Sequence, residues 1–223
     1  MFYATGNLAS FAETHLAAPR TLPSSAQQPE PRRNEMPAPE VPPDLREDTR
    51  NVSNDFKYFP IEVIKQRLAE RRRPFATMCL NLDKDLNVAT TVRTHNSFCG
   101  EEFFWLGRRK FYRPGAVGAY LYETMTHLQD LDEARAKLGD RYTWVGIDNS
   151  RGAVPITSFS WETEKPPLLI FGQEREGLDF LPDLAYHCKH IVMIPQIGSV
   201  RSLNVGVSAG IAMYDLCMKK GWM

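Results

Sequence analysis

Five consecutive apolar residues, Pro167–Phe171 (PLLIF), constrain this chain more than any other stretch. No polar position interrupts them, so neither face suits water. Such runs belong to strands covered on both faces in a parallel α/β sheet. Phe75–Leu82 (FATMCLNL), Glu102–Leu106, Tyr142–Ile147 and His190–Ile194 (HIVMI) read as further strands, and Val154–Phe159 as a short extended piece. Helical segments lie between them. Ile61–Arg73 is one, stopped by Pro74; Asn87–Phe98 is another, with Asn87 suited to its cap. Leu128–Leu138, a helix or turn over Leu178–Tyr186, and a closing helix over Ser202–Lys219 complete the set. The alternation predicts an α/β domain with a mostly parallel sheet flanked by helices.

A chain of 223 residues with 43% hydrophobic content has ample material for one large core. Its formal charge is zero, so no global field draws in nucleic acid, and any basic surface must be local. Cys79, Cys99, Cys188 and Cys217 form no CxxC pair and have no His at metal-ligand spacing. They read as reduced, buried thiols of a cytoplasmic protein without a metal. No run approaches the roughly 18 apolar residues of a membrane span.

Residues 1–55 differ in character. From Pro19 to Pro43 the chain is rich in Pro, Ser, Gln, Glu and Arg, a composition that buries too little apolar surface to order itself. A disordered tail is predicted. Glu13, Glu30 and Glu35 count against an organelle transit peptide. Residues 56–74 read as a helical extension and 75–223 as the main domain.

Three stretches have the residue types of a site. Asn87-Val88-Ala89-Thr90-Thr91-Val92-Arg93 places an Asn and an Arg toward one face of a helix. An Arg in so apolar and Thr-rich a setting needs an anion, and spacing does not decide between a phosphate and a structural carboxylate. Phe171–Leu178 (FGQEREGL) is a buried strand running into a loop with Gly172 and Gly177 at its ends and Glu174 between them. An ordinary strand-to-helix turn would also fit it. Ile194–Ile211 (IPQIGSVRSLNVGVSAGI) is a strand end, a Gly198-Ser199 loop and a helix start, where unpaired N–H groups can hold a small ligand's polar atoms. Ser202 suits the cap, and Asn204 falls just inside the helix, where Asn is a mediocre former. The basic end of the first helix, Arg67 and Arg71 to Arg73, is a solvated face unless it lies beside a site.

Taken together and in this order, the motifs N-V-A-T-T-V-R-T (Asn87–Thr94), F-G-Q-E-R-E-G-L (Phe171–Leu178) and I-P-Q-I-G-S-V-R-S-L-N-V (Ile194–Val205) are specific. From Phe75 to the C-terminus, about two thirds of the chain, the sequence resembles the SpoU (TrmH-like) family of the SPOUT superfamily. These are S-adenosylmethionine-dependent RNA ribose 2′-O-methyltransferases. The first motif departs from the usual pattern: Asp85-Leu86 stand where Pro-Gly or Pro-x is common, and Ala89 where Gly is.

The resemblance implies a parallel sheet whose C-terminal part forms a trefoil knot, and a homodimer built on the closing and first-motif helices. It implies that Gly172, Ile194 and Leu203, with Phe171, Gln173, Gly177, Ile197 and Gly198, hold S-adenosylmethionine. Arg93 of one subunit would act near the cofactor of the other, with Asn87, Glu174, Ser202 and Asn204 completing the catalytic set. Glu174 would fix Asn87 or Asn204 by hydrogen bonding. The substrate would be tRNA or rRNA, gripped by Arg108, Arg109, Lys110, Arg113 and Arg201, with Phe111 and Tyr112 stacking on bases. A non-catalytic RNA-binding protein on the same fold is the alternative. A base-methylating SPOUT enzyme would carry different motif residues. A Gly-rich nucleotide-binding module is disfavoured, since no GxGxxG follows the first strand and no Walker-type Gly-Lys-Ser occurs.

Overall fold

The computed structural model describes residues 47–81, 86–173 and 176–223. The predicted tail lies outside them up to residue 46, as does Glu174. Seven strands form one sheet: β1 (Arg73–Asn81), β2 (Gly100–Gly107), β3 (Met125–Leu128), β4 (Thr143–Ile147), β5 (Val154–Pro155), β6 (Pro167–Phe171) and β7 (His190–Met193). Their order is β3-β2-β1-β6-β4-β7-β5, and every pair is parallel. The helices are α1 (Ile61–Ala69), α2 (Asn87–Ser97), α3 (Leu131–Leu138), α4 (Pro182–His187) and α5 (Val205–Lys219). Among the described residues no helix is long and apolar enough to cross a membrane, and no group of three or more His, Cys, Asp or Glu could hold a metal ion.

The apolar runs explain the layering. Side chains of a strand point alternately to opposite faces. On β1, Phe75 and Cys79 face the layer of α2 and α5, meeting Val88, Val92, Ala209 and Met213. Ala76, Met78 and Leu80 face the other layer, with Leu138 of α3 and Leu184 of α4. Strands β4 and β6 are buried along their whole length, as continuous apolar runs require. A third cluster, Phe59, Ile64, Leu68 and Tyr122, seats α1.

Several expectations change. Helix α1 ends at Ala69, and Pro74 sits inside β1 rather than stopping a helix. A proline is tolerated at the start of a strand. Leu128 closes strand β3, and helix α3 begins only at Leu131, where the Asp130 carboxylate caps it by accepting from Glu133 N at 2.9 Å.

One buried polar cluster ties α1, α2 and the sheet together. Glu123 is 6% exposed and receives Arg72 Nη1 at 2.5 Å and Asn96 Nδ2 at 2.5 Å. Arg72 also donates to the carbonyls of Gly100 and Tyr122, at 2.7 and 3.1 Å. His95, fully buried, has Nδ1 2.9 Å from Thr77 Oγ1 and Nε2 3.7 Å from Glu123 Oε2.

Candidate functional site

The site is built where strands β4, β6 and β7 end. In open parallel sheets ligands bind beyond the carboxyl ends of the strands. Here a cavity of about 510 Å³ is lined there by Ile147, Phe171, Gly172, Ile194, Leu203 and Val205. The loop after β6 folds back so that Gln173 bridges to Gly177. Gly172 is required by that fold, since a Cβ there would collide with the backbone of Gly177 and Leu178. Asp148, just past β4, holds the loop from the other side by accepting from Leu178 N at 2.8 Å. The third stretch crosses these ends, and Asn149 Nδ2 donates to the Arg201 carbonyl at 2.7 Å.

Helix α5 starts three residues later than its sequence suggests. Asn204, not Ser202, is the cap: its Oδ1 accepts from Gly206 N at 2.9 Å and Val207 N at 3.4 Å. That role explains an asparagine that fits poorly inside a helix. With Oδ1 so engaged, Nδ2 points away and donates to Asn87 Oδ1 at 3.0 Å. Asn87 is not a cap but the first residue of α2, 4% exposed. One amide thus fixes the start of α5 and joins it to the start of α2, and Gly206 lets the helices approach because a Cβ there would strike Thr90. The Asn204→Ala variant is expected to lose about 1–2 kcal/mol of unfolding free energy. Asn204→Ser keeps a capping oxygen but not the bridge, and urea denaturation should place it between the two.

The predicted residues fall into three places. Phe171, Gly172, Gln173, Gly177, Ile194, Arg201, Ser202 and Leu203 line the strand-end cavity. Ile197 and Gly198 do not, and Ile197 is fully exposed. Arg93 is elsewhere. It is exposed, its side chain has no hydrogen bond or ion pair among the described residues, its carbonyl accepts from Ser97 Oγ at 3.1 Å, and it lines a separate cavity. Among the described residues no carboxylate pairs with the Arg93 side chain. The third place is the Arg108–Arg113 loop. Asn81 Nδ2 donates to the carbonyls of Arg108 and Lys110, at 2.5 and 3.1 Å, and so shapes it. Arg109, Lys110 and Arg113 line a recess of about 760 Å³ with Trp105, Tyr120 and His127. Phe111 is half-buried, lines the same recess and packs edge-on against Trp105 at 5.6 Å; Tyr112 is exposed.

Sequence reasoning missed Asp148, Asn149, Gln196 and Ser208, all in the cavity lining. For Asp148 and Asn149 a signal existed: polar residues directly after a buried parallel strand stand where ligands bind.

A parallel α/β sheet with a polar-rimmed cavity beyond its strand ends is the arrangement in which open α/β proteins bind small ligands. The family model of the SpoU rRNA Methylase family matches residues 74–214, and the chain belongs to that family. It is 36% identical over 167 residues to an uncharacterized tRNA/rRNA methyltransferase of Synechocystis sp., covering 72% of this chain and 42% of the relative. It is 29% identical over 103 residues to the 23S rRNA (guanosine-2′-O-)-methyltransferase RlmB of Pseudomonas syringae, covering 46% and 40%. The chain thus spans about two fifths of the length of these relatives. The fold is similar to that of an AdoMet-bound rRNA methyltransferase from Sinorhizobium meliloti, with TM-score 0.57, 20% identity, and coverage of 68% of this chain and 59% of that one.

Proposed function

We propose that this chain is an S-adenosylmethionine-dependent RNA methyltransferase that modifies a ribose 2′-hydroxyl of tRNA or rRNA, working in the cytoplasm as a homodimer. The observation that carries this reading is the junction of the three motifs. The second and third line one cavity at the strand ends, and Asn204 of the third binds Asn87 of the first. The names of the relatives support the reaction, and the bound ligand of the Sinorhizobium structure supports the cofactor.

The residues present fit that cofactor. Gly172 lets the second-motif loop fold tightly back at the cavity rim, Phe171, Leu203 and Val205 supply apolar walls for a purine, and loop backbone can read its edge. Phe171, Gly172, Gln173, Gly177, Ile194 and Leu203 would hold it, with Ile197 and Gly198 assigned to the same cofactor loop, outside the cavity lining. Bound S-adenosylmethionine supplies a methyl group on a sulfonium, already an excellent leaving group. The protein's work is then chiefly positioning. Arginine does not give up its proton in a protein, so Arg93 is assigned the phosphate next to the target ribose and the charge developing on the 2′-oxygen. The hydroxyl proton passes to phosphate or water. Asn87, Ser202 and Asn204 orient the hydroxyl and the loops, and Glu174 is kept in the catalytic set. Arg108, Arg109, Lys110, Arg113 and Arg201 would grip RNA.

The trefoil knot belongs to this proposal. Its support is that β7 lies between β4 and β5, while the segment after it crosses the ends of β4 and β6. So does the division into a tail (1–55), a helical extension (56–74) and a methyltransferase domain (75–223). The dimer is supported by Val207, Ile211, Tyr214 and Met218 on α5, which are 51, 36, 51 and 52% exposed. Their spacing of four, three and four residues makes one apolar stripe beside exposed Thr90 and Arg93 of α2. Tyr214→Glu is expected to give a monomer, read by light scattering as a mass falling to 25.4 kDa. The reading as a whole is tested by incubating the protein with labelled S-adenosylmethionine and RNA, then mapping ribose methylation by mass spectrometry. Absence of both cofactor binding and methyl transfer would sink it.

A further inference from the structure

Arg93 shares its cavity with two residues of the basic run that ends α1. The cavity holds about 660 Å³, within the range of small-molecule sites. Arg71, Arg73 and Arg93 line it, and among the described residues none of its lining side chains is acidic. The floor is apolar and aromatic: Phe56, Ile64, Leu68, Phe98, Tyr122 and Trp222. Asn51, Ser53, Asn96 and Ser97 add amide and hydroxyl groups.

The four arginines of the run have separated roles. Arg72 is committed to Glu123, and Arg67 stacks on Phe59 at 3.8 Å. Arg73 Nη2 donates to the Trp222 carbonyl at 2.9 Å. Arg71 is exposed and has no hydrogen bond or ion pair from its side chain among the described residues, only the Phe56 ring at 6.0 Å. One wall is the segment before α1, and it is firmly held. Asp48 accepts from Arg50 and from Tyr58 N at 2.7 Å, and Lys57 Nζ donates to the carbonyls of Asp48 and Arg50 at 2.6 and 2.7 Å.

We propose that this cavity is a second nucleotide subsite, which receives an unpaired base of the substrate RNA adjoining the methylated nucleotide. The inference rests on the RNA reading above. Apolar rings with amide and hydroxyl groups at the rim suit a nucleobase, although Asn96 Nδ2 and Ser97 Oγ already donate to Glu123 and to the Arg93 carbonyl. Three arginines among the lining residues suit its flanking phosphates and disfavour a purely apolar ligand. Because Arg93 lies on the wall, a base held here places the neighbouring ribose at the residue assigned to the reaction. The N-terminal segment then sets which unpaired nucleotide is selected.

The test uses the full chain with tRNA and ribosomal RNA transcribed with 4-thiouridine. Photocrosslinking is expected to attach RNA to peptides containing Val52–Phe56 or Phe98–Cys99. Arg71→Ala and the cavity-filling Ser53→Trp are each expected to weaken RNA binding about tenfold, the scale of one stacked base, with S-adenosylmethionine affinity unchanged by calorimetry. Crosslinks confined to the Arg108–Arg113 loop, with both variants binding RNA like the parent, would overturn the subsite and leave the RNA reading standing. A parent protein that binds neither RNA removes both.

Discussion

Arg93→Ala is expected to lower methyl transfer by about 10²–10³-fold, the usual cost of removing a group that stabilises developing charge. It should leave unfolding free energy within about 0.5 kcal/mol of the parent. The second expectation follows from its surroundings. Arg93 is exposed and its side chain has no ion pair or hydrogen bond among the described residues, so truncating it breaks no polar contact among them. A structural arginine would behave the opposite way. Kinetics with labelled S-adenosylmethionine and a urea titration separate the two roles. Loss of stability together with activity would withdraw the catalytic assignment.

The same residue allows a sharper measurement. Within one protomer Arg93 and the strand-end cavity are separate, and no residue lines both. If the site is completed across a dimer, an Arg93→Ala subunit and a Gly172→Val subunit are complementary. Gly172→Val forces a side chain into the backbone of Gly177 and Leu178 and should abolish cofactor binding. Each variant alone is inactive. In a mixed dimer one site combines an intact cavity with an intact Arg93 from the partner, so mixing should restore activity. No recovery in a verified heterodimer would mean that both groups act within one chain.

The legible parts of this fold are those fixed by local pattern. Strand β6 was readable to its ends because five apolar residues leave no alternative face for water. Strand β3 was not, since Met125-Thr126-His127-Leu128 is half polar and holds its place through one neighbour, β2. The start of α5 shows a subtler limit. Ser202 and Asn204 are both good caps, and local preference does not choose between them. What chooses is the close packing of Gly206 on Thr90 and the bond from Asn204 to Asn87, a residue 117 positions away. The second and third motifs hold residues that line the strand-end cavity, but the placement of Arg93 in another cavity depends on how α2 lies across the sheet. No sequence spacing encodes that.

The partnership of Arg72 with Glu123 was equally invisible, and it yields the largest expected effect on stability. Glu123→Ala leaves the Arg72 charge and the Asn96 amide without their partner in the interior, which costs about 3–5 kcal/mol. The cluster also has a pH signature. Burial pushes the Glu123 carboxyl up from 4.5 to about 6, opposed by Arg72. Burial, aided by Arg72, pushes His95 down from 6.5 to about 3. Between pH 6.5 and 3 the unfolded chain protonates His95 and the folded one does not, so this group removes stability as pH falls. Between pH 6 and 4.5 the folded chain protonates Glu123 and the unfolded one does not, so that group adds stability as pH falls. Each contributes a slope of about 1.4 kcal/mol per pH unit while it acts alone. They oppose one another from pH 6 to 4.5, and His95 acts unopposed from 4.5 to 3. Comparing His95→Gln with the parent cancels the titrating groups remote from this cluster. The difference in unfolding free energy should move in favour of the variant as pH falls through both windows. Urea denaturation at several pH values between 3.5 and 7 reads it directly, and a difference independent of pH would show that His95 is not held neutral by its burial beside Arg72.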